Sequence, residues 1–109
     1  MAWYMIQAAY TSEAWSAQVQ NPRNRVEDLQ RMVEPLGTKI HHGWYSFGEY
    51  DVVLIAEADG NVEAVAAVLA AAAGGAVKSL RTTPLLTIDE GIDAMQKASL
   101  VTYTPPPAS

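Results

Sequence analysis

The chain has 109 residues, no cysteine, and a formal net charge of -5 from seven basic and twelve acidic side chains. That length suits one domain with a single modest core. Missing thiols exclude disulfides, thiolate metal sites and cysteine nucleophiles. The acidic balance disfavours nucleic acid, because the only grouped cations, Arg23, Arg25 and Arg31, are interspersed with Glu27 and Asp28.

No window approaches the roughly twenty apolar residues of a membrane span. The N-terminus shows no basic segment ahead of an apolar run, so a cytoplasmic protein is expected. Half the residues are apolar, but eighteen are alanine, which buries little area. The expected core therefore leans on Trp3, Ile6, Leu29, Val33, Leu36, Trp44, Val53, Ile55, Leu69, Leu80 and Leu86. A core this thin gains from burial against a partner chain.

Trp3 to Tyr10 reads as a first strand, and Thr11 to Gln20 as a loop or a helical turn capped by Ser12. Asn21-Pro22 signals a helix start, and Val26, Leu29, Val33 and Leu36 mark its buried stripe before Pro35 and Gly37 end it. Thr38 to Phe47 and Asp51 to Ala58 read as two further strands around a Gly48-Glu49-Tyr50 turn, with Gly48 expected at positive φ.

Asp59-Gly60-Asn61 opens a second helix, Val62 to Ala73, stopped by Gly74-Gly75. Val62, Val65, Ala66 and Leu69 form its expected inner stripe, while the alanines opposite make it apolar nearly all round and suit packing on another subunit. Val77 to Leu86 is a fourth strand. Thr87-Ile88-Asp89-Glu90 is a capping box opening a last helix to about Leu100, with Ile92, Met95 and Ser99 facing inward. A domain over residues 1–100 is followed by a proline-rich tail, 101–109, built around Thr104-Pro105-Pro106-Pro107.

The order β-α-β-β-α-β with a C-terminal helix specifies a ferredoxin-like α+β fold with an antiparallel four-stranded sheet. Helices cover one sheet face only, yet strands two and three carry apolar residues on both. The expected cover for the second face is the same sheet of another copy.

Gly48-Glu49-Tyr50-Asp51-Val52-Val53, the aromatic strand Gly43-Trp44-Tyr45-Ser46-Phe47, and Leu80-Arg81-Thr82-Thr83 before a capped helix resemble the GYD-domain proteins over roughly Trp3 to Ala98. The resemblance implies a dimeric α/β barrel of two ferredoxin-like sheets. Its superfamily includes cofactor-independent monooxygenases, isomerases, decarboxylating and cyclising enzymes, haem-handling proteins and ligand-sensing domains, so it speaks to fold more than to function. His41-His42 departs from similar sequences, which look less polar there.

Strict alternation sends His41 and His42 to opposite faces, with one facing the barrel interior beside Trp44 or Tyr45. That imidazole is a candidate general base or a haem or metal ligand, set against the plain alternative of a strand-end histidine. His42, His41, Tyr50 and Asp51 are the candidate catalytic residues, although a turn containing Gly48 and Asp51 has a full local explanation. Trp44, Tyr45, Phe47, Tyr10 and Tyr4 are the candidate lining, with Trp15, for a flat apolar ligand.

Arg81, alone on a strand, is the best candidate for a carboxylate clamp, ahead of Arg23 and Arg25, unless it pairs with Glu49, Asp51 or Glu57. No motif for a metal, a phosphate loop or a serine nucleophile is present. The expectation is a homodimer or higher homo-oligomer binding a small apolar, carbonyl-bearing or aromatic molecule in a cleft beside the helices or inside the barrel. Any chemistry would be cofactor-free proton transfer of an isomerase, cyclase, lyase or monooxygenase. The alternative is a non-catalytic ligand-sensing or assembly module.

Overall fold

The computed structural model describes residues 1–108; Ser109, the last residue of the expected tail, lies outside them. The elements are β1 (Ala2–Tyr10), α1 (Ser12–Gln20), α2 (Arg25–Val33) with a 3-10 turn (Glu34–Leu36), β2 (Lys39–Tyr45), β3 (Val52–Ala58), α3 (Asn61–Ala73), β4 (Val77–Leu85) and α4 (Ile88–Ala98). The strands form one antiparallel sheet in the order β2-β3-β1-β4, the ferredoxin-like arrangement.

Two helix starts differ from the sequence expectation because side-chain caps choose them. Thr11, not Ser12, caps α1 by accepting from the Ala14 amide at 3.2 Å. The segment is a full helix rather than a loop. Asn24, not Asn21, caps α2 by accepting from the amides of Val26 and Glu27. Asn21 instead closes α1, donating its amide to the Ala17 carbonyl. Gly37 ends the 3-10 turn with φ at 71°, a left-handed conformation that glycine adopts without cost. Gln30 then ties α2 to β2, donating to the Thr38 carbonyl and accepting from the Ile40 amide at 2.7 Å.

Strand register sorts the side chains. Tyr4, Ile6, Ala8 and Tyr10 share the helix-covered face with Val52, Leu54, Ala56, Leu80, Ile40 and Tyr45. Trp3, Met5, Gln7, Val53, Ile55, Glu57, Arg81, Thr83 and Trp44 share the other face, called here the open face. The buried core is Tyr4, Tyr10, Val52 and Leu54, filled out by Ala8, Ala9, Ala56, Ala58 and Ala64. Gly43 lets α2 approach β2, since a Cβ there would stand 2.8 Å from Val26 Cγ2.

Four core expectations are overturned. Trp44 lies exposed on the open face, and Leu86 is exposed beyond β4. The α3 residues Val62, Val65 and Leu69 point outward, Leu69 being 62% exposed, whereas Ala64, Ala67, Val68 and Ala71 face the sheet. Small side chains win the inner face because they let the helix sit close to a sheet already carrying Tyr4, Ile6 and Leu80.

The last overturned expectation concerns α4. It is held by the expected capping box, with Glu90 Oε1 accepting from the Thr87 amide at 2.8 Å and Thr87 Oγ1 accepting from the Glu90 amide at 3.1 Å. Ile92, Met95 and Ser99 face solvent, not inward, because this amphipathic helix leads away from the sheet. The radius of gyration is 17.7 Å, against about 13 Å for a compact chain of this length.

Candidate functional site

The Gly48-Glu49-Tyr50-Asp51 segment works as a joint. Asp51 Oδ2 accepts from the Tyr10 amide at 2.8 Å and the Trp15 indole Nε1 at 3.2 Å. The Asp51 amide donates to the Ala8 carbonyl, and its own carbonyl accepts from the Ser46 amide. One residue thus ties together β1, α1 and the β2-β3 turn. Tyr50 is half-buried, and its carbonyl accepts from Ser46 Oγ at 2.6 Å and the Gly48 amide at 3.1 Å.

Phe47, rather than Gly48, takes the positive φ, at 49°. Such a conformation costs on the order of 1 kcal/mol in a non-glycine residue. Stacking of the Phe47 ring on Trp15 (6.0 Å) and Tyr45 (5.6 Å) offsets it. Tyr10 completes this aromatic corner edge-on to Trp15 at 5.3 Å. The six aromatics do not form one lining, because Trp44 occupies the open face and Tyr4, whose hydroxyl donates to Asn61 Oδ1 at 2.6 Å, sits at the start of α3.

Alternation fails at the histidines. Ile40 pairs with Ala56 and His42 with Ile55, so His41 is an extra residue, a β-bulge. The bulge turns both imidazoles to the open face instead of opposite ones. His41 Nε2 lies 3.0 Å from Glu57 Oε1, and its ring rests on Trp3 at 4.5 Å; both partners of the pair are about four-fifths buried, at 23% and 22% exposure. His42 stacks on Trp44 at 5.5 Å, and the two imidazoles are 6.5 Å apart. The carboxylate beside a histidine is thus Glu57, while Asp51 is engaged by the Tyr10 amide and the Trp15 indole. Arg81 projects from edge strand β4 on this same face, opposite Gln7, with no ion pair among the described residues.

A different set of residues builds a cavity on the helix-covered face. Between the sheet, α2 and α3 lies an apolar cleft of about 270 Å³ walled by Ile6, Leu29, Ile40, Leu54, Val68 and Leu80. Three polar side chains reach it: Tyr10, Arg25 and Thr38. Thr38 is 5% exposed, and its Oγ1 is buried with no hydrogen-bond partner. An unpaired buried hydroxyl costs roughly 1–3 kcal/mol. Burial foremost, then the nearby Tyr45 and Asp51, raises the Tyr10 pKa against the opposing Arg25, so the phenol remains a hydrogen-bond donor.

Arg25 Nη1 contacts Asp28 Oδ2 at 3.1 Å, while Asp28 Oδ1 receives Arg23 at 2.7 Å and Arg31 at 2.6 Å. Next to the main cleft a second hollow of about 240 Å³ shares Tyr10, Arg25, Leu29 and Val52 with it and opens past Arg23, Asn24 and Tyr45. No histidine, aspartate or glutamate lines the main cleft among the described residues. What it can do chemically is enclose an apolar body and donate hydrogen bonds from an arginine and a phenol.

Thr38 and the pairing of Glu57 with a histidine were missed by sequence reasoning. Arg25 was named as a clamp but placed behind Arg81, although it stands one helical turn before Leu29 on the inner stripe. Glu57 needed the strand register, and nothing local marks Thr38.

Comparison with known structures defines the class first. The chain is similar to MtbAldR (TM-score 0.57, 14% identity), covering 79% of this chain and 53% of that one. It is also similar to At3g17210 from Arabidopsis thaliana (TM-score 0.55, 7% identity), covering 80% and 95%. A third likeness is to TTHA0845 from Thermus thermophilus (TM-score 0.52, 15% identity), again covering 80% and 95%. These likenesses show a shared fold, the ferredoxin-like α+β fold, and the chain spans about half the length of MtbAldR.

The model of the GYD domain matches residues 4–95, and the protein belongs to that family. No curated protein matches it. Among the described residues no helix is long and apolar enough to cross a membrane, and no three acidic or histidine side chains are grouped to hold a metal ion.

Proposed function

We propose that the protein is a homodimeric α/β-barrel protein that binds a small, largely apolar molecule in the cleft between its sheet and helices α2 and α3. The carrying observation is the cleft itself, an apolar cavity of about 270 Å³ with Tyr10 and Arg25 as polar groups at one end. A concave apolar space with a few polar groups at its wall is the usual form of a small-molecule site. The dimer rests on the open sheet face, where Met5, Val53, Ile55 and Trp44 stand together without helix cover.

The cleft supports binding or sensing rather than turnover, because its described lining includes no imidazole or carboxylate. A catalytic role for His41, His42, Tyr50 or Asp51 belongs elsewhere: to an imidazole–carboxylate pair, His41–Glu57, enclosed where two open faces meet. A second reading, an assembly module, is favoured by the exposed Val62, Val65 and Leu69 of α3 and by the exposed Ile88, Ile92 and Met95 of α4.

Native mass spectrometry of protein purified without added ligand separates these readings. A dimer that releases a bound small molecule on activation is the expected result. A larger ligand-free oligomer that also fails to take up apolar probes would favour assembly. A stable monomer would overturn the sheet-to-sheet pairing.

A further inference from the structure

The cleft is not uniformly apolar along its length, and the asymmetry specifies a ligand class. Helix α2 runs beside it from Arg25 at one end to Met32 and Val33 at the other, where Thr38 begins the return into β2. Eight helical steps at a rise of 1.5 Å make that distance about 12 Å. The middle is hydrocarbon: Leu29 from α2, Ile40 and Leu54 from the sheet, Val68 from α3.

The Arg25 end is positive. Three guanidiniums, those of Arg23, Arg25 and Arg31, converge on the single carboxylate of Asp28. Within residues 23–31 three arginines stand against Glu27 and Asp28, a surplus of one positive charge in a chain whose net charge is -5. The one other carboxylate acting on Tyr10, Asp51, is engaged by the Tyr10 amide and the Trp15 indole. Tyr10 lines both hollows beside Arg25, and its protonated phenol adds a donor at the same mouth. The opposite end, by Met32, Val33 and Ala56, is hydrocarbon apart from Thr38, whose Oγ1 is buried.

Resting on the binding role argued above, we infer that the ligand is an amphipathic carboxylate. Its anionic head lies against Arg25 and Tyr10, and its aliphatic or aryl body fills the cleft. A guanidinium already sharing an anion keeps free N–H groups for a second one, and charge-assisted hydrogen bonds in a desolvated mouth are stronger than neutral ones. An amine head would be repelled by Arg25, and a purely hydrocarbon guest would leave the Tyr10 hydroxyl and the remaining Arg25 N–H groups unused.

The test is calorimetric titration of the full-length protein with nonanoate and 3-phenylpropionate, each against its matched neutral alcohol and amine. Carboxylates are expected to bind about tenfold more tightly than the alcohols, with amines weakest. Arg25→Gln should abolish that preference while leaving alcohol binding intact, and Arg25→Lys should restore part of it. Ala67→Phe, which fills the cleft, should remove binding of every probe, with circular dichroism checking that each variant folds.

Equal binding of carboxylate and alcohol by the unaltered protein would overturn the carboxylate assignment while leaving the binding cleft standing. Loss of the preference in Arg81→Gln rather than Arg25→Gln would move the anion site to the open face and overturn it too. If no probe binds, both the assignment and the binding role fall.

Discussion

The two faces of the sheet show how one antiparallel sheet supports two different jobs. The helix-covered face is packed with aliphatic and aromatic residues and alanines, and it hollows out between α2 and α3, leaving a cavity with one polar end. The open face is continuous and half-buried, bearing Met5, Val53 and Ile55 with His41–Glu57, His42–Trp44 and Arg81 around them. A pattern apolar on both faces is thus ambiguous until the chain is folded. One side is apolar to hold a core and a guest, the other to meet another surface.

The hardest blow to this contrast is a charge at the centre of the open face. Ile55→Asp should leave the circular dichroism spectrum of the fold intact but weaken self-association by a hundredfold or more, since an unpaired carboxylate would be buried at the seam. Light scattering across a concentration series would show it. An unchanged dimer would mean the open face is not the interface.

Asp51→Ala addresses the covered face. It should lower unfolding free energy by roughly 2–4 kcal/mol in denaturant titration, because the Tyr10 amide and the Trp15 indole both lose their acceptor. Asp51→Asn, which keeps one acceptor oxygen, should lose less. A catalytic rather than joining role would show the reverse: stability retained, activity lost.

Thr38→Val should go the other way. Removing an unsatisfied hydroxyl should stabilise the protein by up to about 1 kcal/mol in denaturant titration. Destabilisation instead would reveal a partner for Oγ1.

The smallest effect belongs to α4. Hydrogen bonds from the Thr87 backbone, then its side chain, lower the Glu90 pKa. A depressed carboxylate stabilises the cap above its ordinary pKa, and the benefit is lost as pH falls through the lowered value. Helical ellipticity should therefore decline slightly on acidification, and Thr87→Ala should flatten that part of the titration.

The sequence made much of the scaffold legible. Period-two strands, the Val26-Leu29-Val33 stripe, the Gly37 stop and the Thr87 capping box are local signals, and local energies decide them. What stayed hidden depends on pairing. His41 looks like an ordinary alternating residue until its register against β3 is known, and only then does the bulge bring it to Glu57. In α3, where nearly every position is apolar, periodicity has no contrast to read: Ala64, Ala67, Val68 and Ala71 turn inward, while Val62, Val65 and Leu69 turn out. Thr38 is unmarked because an orphaned hydroxyl is a property of its surroundings, not of its neighbours in the chain.

The alanine side of α3 has one more consequence. A wall finished in single methyl groups can be thickened one carbon at a time: Ala67, Ala70 and Ala71 each edge the cavity, and exchange to valine or leucine would shorten or narrow it without recasting the sheet behind. The same scaffold could in this way be tuned to guests of different girth, with helix α3 serving as an adjustable gauge block.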